Sequence, residues 1–148
     1  MTAITARDQA TIPATPDQVW AVLADVRGYP GWWPQDLGLR VLSQEPGLVG
    51  SEVEIRPRGG RPFKCRVTAA DPPRRMEMEY FGGFVEGTGV WEIAPEGDGA
   101  RVTYTLDARA RGWLVAMMAR FMDLGAVHSR QMSGVFEGLR LKSMRRKD

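Results

Sequence analysis

Cysteine and histidine are almost missing from this chain. One cysteine, Cys65, and one histidine, His128, stand among 148 residues. A lone cysteine excludes an internal disulfide and a cysteine-cluster metal site. A lone histidine without clustered partners argues against any metal centre, so neither metal nor cofactor is expected. No apolar run approaches the roughly 20 residues of a membrane span, which excludes stable membrane insertion through a helix. The opening MTAITARDQA lacks a basic flank followed by an apolar stretch, so no secretory signal is expected and the expected setting is cytoplasmic. Charge of one sign is missing as well: 20 Lys and Arg face 18 Asp and Glu, for a net charge of +2. Much of the basic excess sits in the last stretch, LRLKSMRRKD, where cations suit a helix end. No basic patch interleaved with aromatics occurs elsewhere, so no nucleic-acid partner is expected. The chain also lacks repeats, low-complexity linkers, a dinucleotide fingerprint, a phosphate-cradling glycine loop and a supportable Ser-His-Asp order.

What is present is an ordinary globular composition, 43% hydrophobic and 26% charged. The length suits one domain over residues 1–148 with a sizeable core. A short β-like run, Ile4 to Ile12, comes first. Thr15-Pro16-Asp17-Gln18 then reads as a helix start, with Thr15 as the N-cap, Pro16 at N1 and Gln18 at N3 of a capping box. Val19, Trp20, Val22 and Leu23 supply an apolar stripe. Gly28 is expected to end this helix, and Tyr29-Pro30-Gly31-Trp32-Trp33-Pro34 to form a short turn or one-turn helix.

From Leu39 to Ala110 the hydrophobic period changes to two. Strands are expected at about 37–45, 50–57, 62–70, 75–82, 84–94 and 100–110, separated by Gly- and Pro-rich turns that favour antiparallel hairpins. Parity sets Val53 and Ile55, then Phe63, Cys65 and Val67, then Met76, Met78 and Tyr80, then Val102, Tyr104 and Leu106 on one face. Glu52, Glu54, Lys64, Arg66, Glu77 and Glu79 fall on the other, where opposite charges on neighbouring strands make a solvated outer face. The glycines of GGFVEGTGV read as bulges or points of strong sheet curvature. The apolar face needs a cover. Gly112 to about Met144 reads as one long amphipathic helix, its inward stripe carrying Leu114, Met117, Met118, Phe121, Leu124, His128, Met132, Val135, Phe136 and Leu139.

This order resembles the helix-grip fold of the START-like, or SRPBCC, superfamily. The residues that carry the resemblance are Ile12-x-Ala14-x-Pro16-x-x-Val19-Trp20, then Asp25-x-x-x-Tyr29-Pro30-x-Trp32, then Trp91-Glu92-Ile93 and Arg101-Val102-Thr103-Tyr104. The superfamily includes polyketide cyclases and aromatases, coenzyme Q-binding proteins, lipid-transfer domains and Bet v 1-like pathogenesis-related proteins. The resemblance implies an α+β fold, a curved antiparallel sheet wrapped around a long C-terminal helix, with two short helices after the first strand. It implies that the aromatic turn plugs one end of the sheet, so that Trp20, Trp32 and Trp33 pack first and Trp32 and Trp33 also rim a cavity.

A cavity in that position makes Trp32, Trp33, Cys65, Met78, Tyr80, Tyr104, Met117, Phe121, Leu124, His128 and Met132 the candidate ligand-binding residues. Six methionines on or near the inward face, Met76, Met78, Met117, Met118, Met122 and Met132, suit a variable hydrophobic ligand or a plain core. His128 fits three roles: a buried packing histidine, a ligand contact or a proton carrier, and it is the one catalytic candidate. Tyr80 and Tyr104 place hydroxyls inside that need partners. Arg109 and Arg111 read as a solvated loop pair or as cations at a cavity mouth. The partner implied is a hydrophobic small molecule such as a lipid, isoprenoid, quinone or polyketide. The alternatives are a polyketide cyclase or aromatase-type enzyme using the same cavity, with His128, Tyr80 and Tyr104, and a protein-interaction module. An exposed sheet edge or the terminal helix leaves room for a homodimer.

Overall fold

The computed structural model describes residues 2–145, so Arg146, Lys147 and Asp148 of the basic tail lie outside the described residues. Chain order is β1 (Thr2–Ile12), α1 (Pro16–Ala24), a 3-10 helix (Val26–Gly31), β2 (Leu37–Ser43), β3 (Glu52–Pro57), β4 (Phe63–Asp71), β5 (Arg75–Phe81), β6 (Val85–Glu96), β7 (Gly99–Ala110), α2 (Trp113–Phe121) and α3 (Leu124–Arg145). The strands form one antiparallel sheet in the order β1-β7-β6-β5-β4-β3-β2. Every neighbouring pair except β1 with β7 is joined in sequence, so hairpin chemistry alone builds six strands and the first strand returns beside the last.

Alternation fills the sheet's inner face. Val53, Ile55, Cys65, Val67, Met76, Tyr80, Val102, Tyr104 and Leu106 are buried in one core with α1 and α3. The outer face carries the expected charge rows: Glu52 lies opposite Arg66 and meets it at 2.8 Å, and Glu54 takes Arg40 of β2 at 3.5 Å. Such exposed pairs each contribute at most about 1 kcal/mol.

α1 starts as its sequence predicts. The Thr15 hydroxyl accepts the Gln18 N–H at 3.2 Å, and the Gln18 side chain accepts the Thr15 N–H at 2.8 Å. It stops at Ala24, however, short of Gly28. The reason is Asp25, whose carboxylate accepts the Gly28 N–H at 3.2 Å and so starts a separate 3-10 turn in which Gly28 is an interior residue. That turn presents Tyr29, Trp32 and Trp33 as one aromatic cluster, with ring centroids 5.1 to 6.0 Å apart. The Tyr29 hydroxyl donates to the Leu23 carbonyl and ties the cluster back to α1.

The terminal helix differs more. In place of one helix there are two, broken at Met122, whose backbone is extended (φ −138°, ψ 143°). Asp123 accepts the Ala126 N–H at 3.2 Å and so caps α3 afresh. α3 buries Met132, Val135, Phe136 and Leu139, whereas α2 buries nothing. Trp113 is 70% exposed, Met117 45% and Phe121 83%. The inward stripe expected across the whole segment therefore holds only from Leu124 onward. No described helix is long and apolar enough to cross a membrane.

Candidate functional site

Two adjoining spaces lie between the sheet and α3. The inner one is a void of about 50 Å3, walled by the aromatic cluster, by Leu23, Leu37, Val53, Ile55, Cys65, Met78 and Trp91, and by Met132 and Val135 of α3. It has room for a few water molecules but not for a lipid. The outer one is an open groove of about 670 Å3, bounded by α2, the tip of the β3–β4 hairpin and the start of α3. Phe63, Tyr80, His128 and Gln131 border both spaces and separate them.

The sequence candidates divide accordingly. Trp32, Trp33, Cys65, Met78, Tyr80, Tyr104, His128 and Met132 line the inner void, and Tyr80, Leu124 and His128 line the groove. Met117 and Phe121 line neither, because α2 turns them to solvent. Met118, with Trp113, Leu114 and Val115, forms the groove's outer wall. Arg111 is at the mouth, paired with Glu86 at 2.7 Å, and Arg58 and Arg61 join it there; Arg109 does not line the groove.

The polar groups inside are few. The Tyr80 and Tyr104 hydroxyls bond to each other. Gly89 of β6 makes this pair possible, since a Cβ there would collide with the Tyr104 hydroxyl. The Phe63 ring stacks on Tyr80 at 5.3 Å, and Tyr104 sits between Trp91 at 4.7 Å and His128 at 5.8 Å. Burial pushes both tyrosine hydroxyls and the Cys65 thiol above their ordinary values, so all three stay protonated at neutral pH. Cys65 is therefore a small core residue with no thiolate to offer. Burial pushes the His128 imidazole below its ordinary value, an effect that the Asp8 carboxylate partly offsets. Its Nδ1 is buried with no hydrogen-bond partner among the described residues, as are the Trp32 and Trp33 indole nitrogens and Asp8 Oδ2. No group of three or more His, Cys, Asp or Glu among the described residues is arranged to hold a metal ion. The polar groups that face these apolar spaces are thus a neutral imidazole and a hydroxyl pair.

Asp8 is the residue that sequence reading missed. It occupies the inward parity of β1, between Ala6 and Ala10, and pairs in register with Tyr104. A carboxylate in a row of Ile4, Ala6, Ala10 and Ile12 was the available signal. Gln131, one turn after His128, was missed for a different reason: a polar residue on a helix face reads as solvated until the sheet is placed beneath it.

Comparison with known proteins extends these observations. A family model described as polyketide cyclase/dehydrase and lipid transport matches residues 3–131. The persistence and stress-resistance toxin PasT of Escherichia coli O6:H1 is 26% identical over 100 residues, 66% of this chain. That match spans 63% of PasT, less than two thirds of its length. TTHA0849 from Thermus thermophilus superposes with a TM-score of 0.77 at 18% identity, covering 97% of this chain and 99% of its own. The di-domain ARO/CYC protein StfQ from the steffimycin biosynthetic pathway gives 0.74 at 13% identity, covering 98% of this chain and 52% of StfQ. Identities this low establish the shared helix-grip fold alone. The family match runs through nearly every element that builds the two spaces, from β1 to the first turns of α3, and the chain belongs to the polyketide cyclase/dehydrase and lipid-transport family.

Proposed function

We propose that the protein binds a hydrophobic small molecule, of the lipid, isoprenoid, quinone or polyketide kind, between the sheet and α3. The observation that carries this reading is an apolar inner void beside an open groove, with Phe63, Tyr80, His128 and Gln131 as their common wall. Internal spaces walled by aromatic and aliphatic side chains with a few placed polar groups are the usual form of a small-molecule site. Trp32, Trp33, Cys65, Met78, Tyr80, Tyr104, Leu124, His128 and Met132 are its contact residues in this reading. The ligand enters by the groove and fills or widens the void, and the flexible thioethers of Met78 and Met132 adapt to it.

Native mass spectrometry before and after organic extraction tests the proposal. A co-purified apolar molecule at near-stoichiometric level, lost on extraction, is the expected result. An unshifted mass with a panel of lipids, quinones and aromatic polyketides overturns it.

The family also supports a cyclase reading, and one observation favours it: Tyr80, Tyr104 and His128 form a contiguous polar cluster inside an otherwise apolar space. A neutral imidazole there is suited to take up a proton as a bound chain folds on itself. Conversion of a bound polyketide by the protein as isolated, lost in His128→Gln with binding retained, distinguishes this reading from binding alone.

A further inference from the structure

The cluster has a charged member that neither the binding reading nor the cyclase reading uses. Asp8 lies on the inner face of β1, directly opposite Tyr104 of β7, and the His128 ring stacks on Tyr104 at 5.8 Å. α3 is seated on this part of the sheet by Gly125, where a Cβ would collide with the Thr5 carbonyl oxygen of β1. The next turn of α3 then lays His128 over the stretch of strand that carries Asp8. Both residues hold a buried polar atom without a partner among the described residues, Oδ2 of Asp8 and Nδ1 of His128. The two are not bonded to each other, so the Asp8 charge reaches the imidazole through space. The imidazole also borders both the void and the groove, with Nδ1 as the nitrogen sealed inside the protein.

We infer that Asp8 and His128 form an electrostatic couple, acting through space and not through a mutual hydrogen bond, in which the imidazole's other nitrogen, Nε2, accepts a hydrogen bond from the hydroxyl group of an otherwise apolar ligand. The inference rests on the ligand-binding reading and names the ligand's polar end. The negative charge of Asp8 favours a proton on Nδ1, the sealed side, and so leaves Nε2 with a free lone pair. Among the described residues no other charge competes for the imidazole. From β1 it is faced by Asp8, from β7 by Tyr104, and through Tyr104 by Tyr80 of β5; Leu124 and Met132 flank it on α3. Asp8 makes no ion pair with a cation among the described residues, and the arginines of the groove, Arg58, Arg61 and Arg111, are at its mouth. The inner end therefore repels a carboxylate or phosphate and suits a neutral donor, an alcohol or a phenol. A ligand's anionic group, where it has one, belongs at the arginines. In this scheme Asp8 is a positioning residue and acts on the ligand through His128.

The test uses 2-naphthol and 2-methoxynaphthalene, which share an apolar body but differ in the hydrogen-bond donor. Titrated against the intact chain, the naphthol binds about tenfold more tightly, the worth of one ordinary buried hydrogen bond. Asp8→Asn reduces that preference and leaves the ether's affinity unchanged. Equal affinities for the two probes overturn the inference while leaving the cavity reading intact. Failure of both to bind overturns the cavity reading and the inference with it. Because His128 is the chain's one histidine, its imidazole nitrogens are also read directly by 15N NMR without any variant. A dominant Nδ1–H tautomer is expected; a dominant Nε2–H tautomer overturns the couple whatever the probes do. An imidazole titration that Asp8→Asn does not move overturns it too.

Discussion

α2 and α3 are neighbours in sequence and opposite in fate. WLVAMMARF of α2 is the more hydrophobic of the two, yet it buries none of its residues, whereas α3 buries four large apolar side chains through its middle. Hydrophobicity therefore does not decide which segment joins the core. Access does. α3 approaches its neighbours closely because glycine stands at the points of contact, Gly125 against the Thr5 carbonyl and Gly138 against the Trp32 carbonyl, where any Cβ would collide. α2 contains no glycine and starts after Gly112, which has nothing near it and a positive φ of 111°. It lies beyond the end of β7 as the outer wall of the groove, which it lines with Trp113, Leu114, Val115 and Met118.

The sharpest way to break this comparison is a pair of truncations. Phe136→Ala in α3 is expected to lower unfolding stability by about 3–5 kcal/mol, the usual loss for a buried phenylalanine. Phe121→Ala in α2 is expected to change it by less than about 0.5 kcal/mol. Urea denaturation of both variants decides the matter, and equal losses would mean that α2 packs in solution as α3 does.

Next in size are the contact glycines. Gly138→Ala must push α3 away from the Trp32 backbone, with an expected loss of about 1–3 kcal/mol despite alanine's better helix propensity. A stabilised Gly138→Ala variant would show that close approach is not what seats α3.

The smallest expected effect is that of pH, and it belongs to α3 alone. Burial holds the folded His128 imidazole below its ordinary value near 6.5, so the unfolded chain takes up its proton first as pH falls. His128 therefore leaves stability untouched above about pH 6.5 and lowers it as pH drops from there through the folded value. His128→Gln removes that slope. Thermal melts from pH 7.5 to 5 are the measurement, and a slope unchanged by the substitution would assign the pH dependence to other groups.

Much of the lining of the inner void was legible from the sequence. The parity of Cys65, Met78, Tyr80 and Tyr104 follows from local alternation, and local alternation survives tertiary packing because one face of the sheet must be dry. The Thr15 capping box was legible for the same reason, since its partners are close neighbours in the chain. What failed were inferences that extended a local period past its limit. The helical stripe through Met117 and Phe121 continues into Leu124 on paper. The Asp123 cap interrupts it, and the two parts then face different surroundings. Likewise Gly28 is a plausible helix end until the Asp25 carboxylate takes its N–H. Asp8 stood in plain view at an inward position, but its meaning depends on which strand pairs with β1. That strand is β7, which begins only at Gly99, with every other strand of the sheet between the two in the chain.

By itself the sequence determined the strand alternation, the turns that make hairpins, the aromatic turn and the motifs of the family, because each is written in spacings of a few residues. The tertiary structure alone decided that β1 closes beside β7, that the C-terminal segment breaks into an exposed and a buried helix, and that Tyr104 is paired with Asp8 and stacked on His128. Those outcomes turn on contacts between residues distant in the chain, such as the carbonyl oxygens of Thr5 and Trp32 against glycines of α3. Whether two backbones can approach so closely is a property of the packed molecule, and no local period carries it.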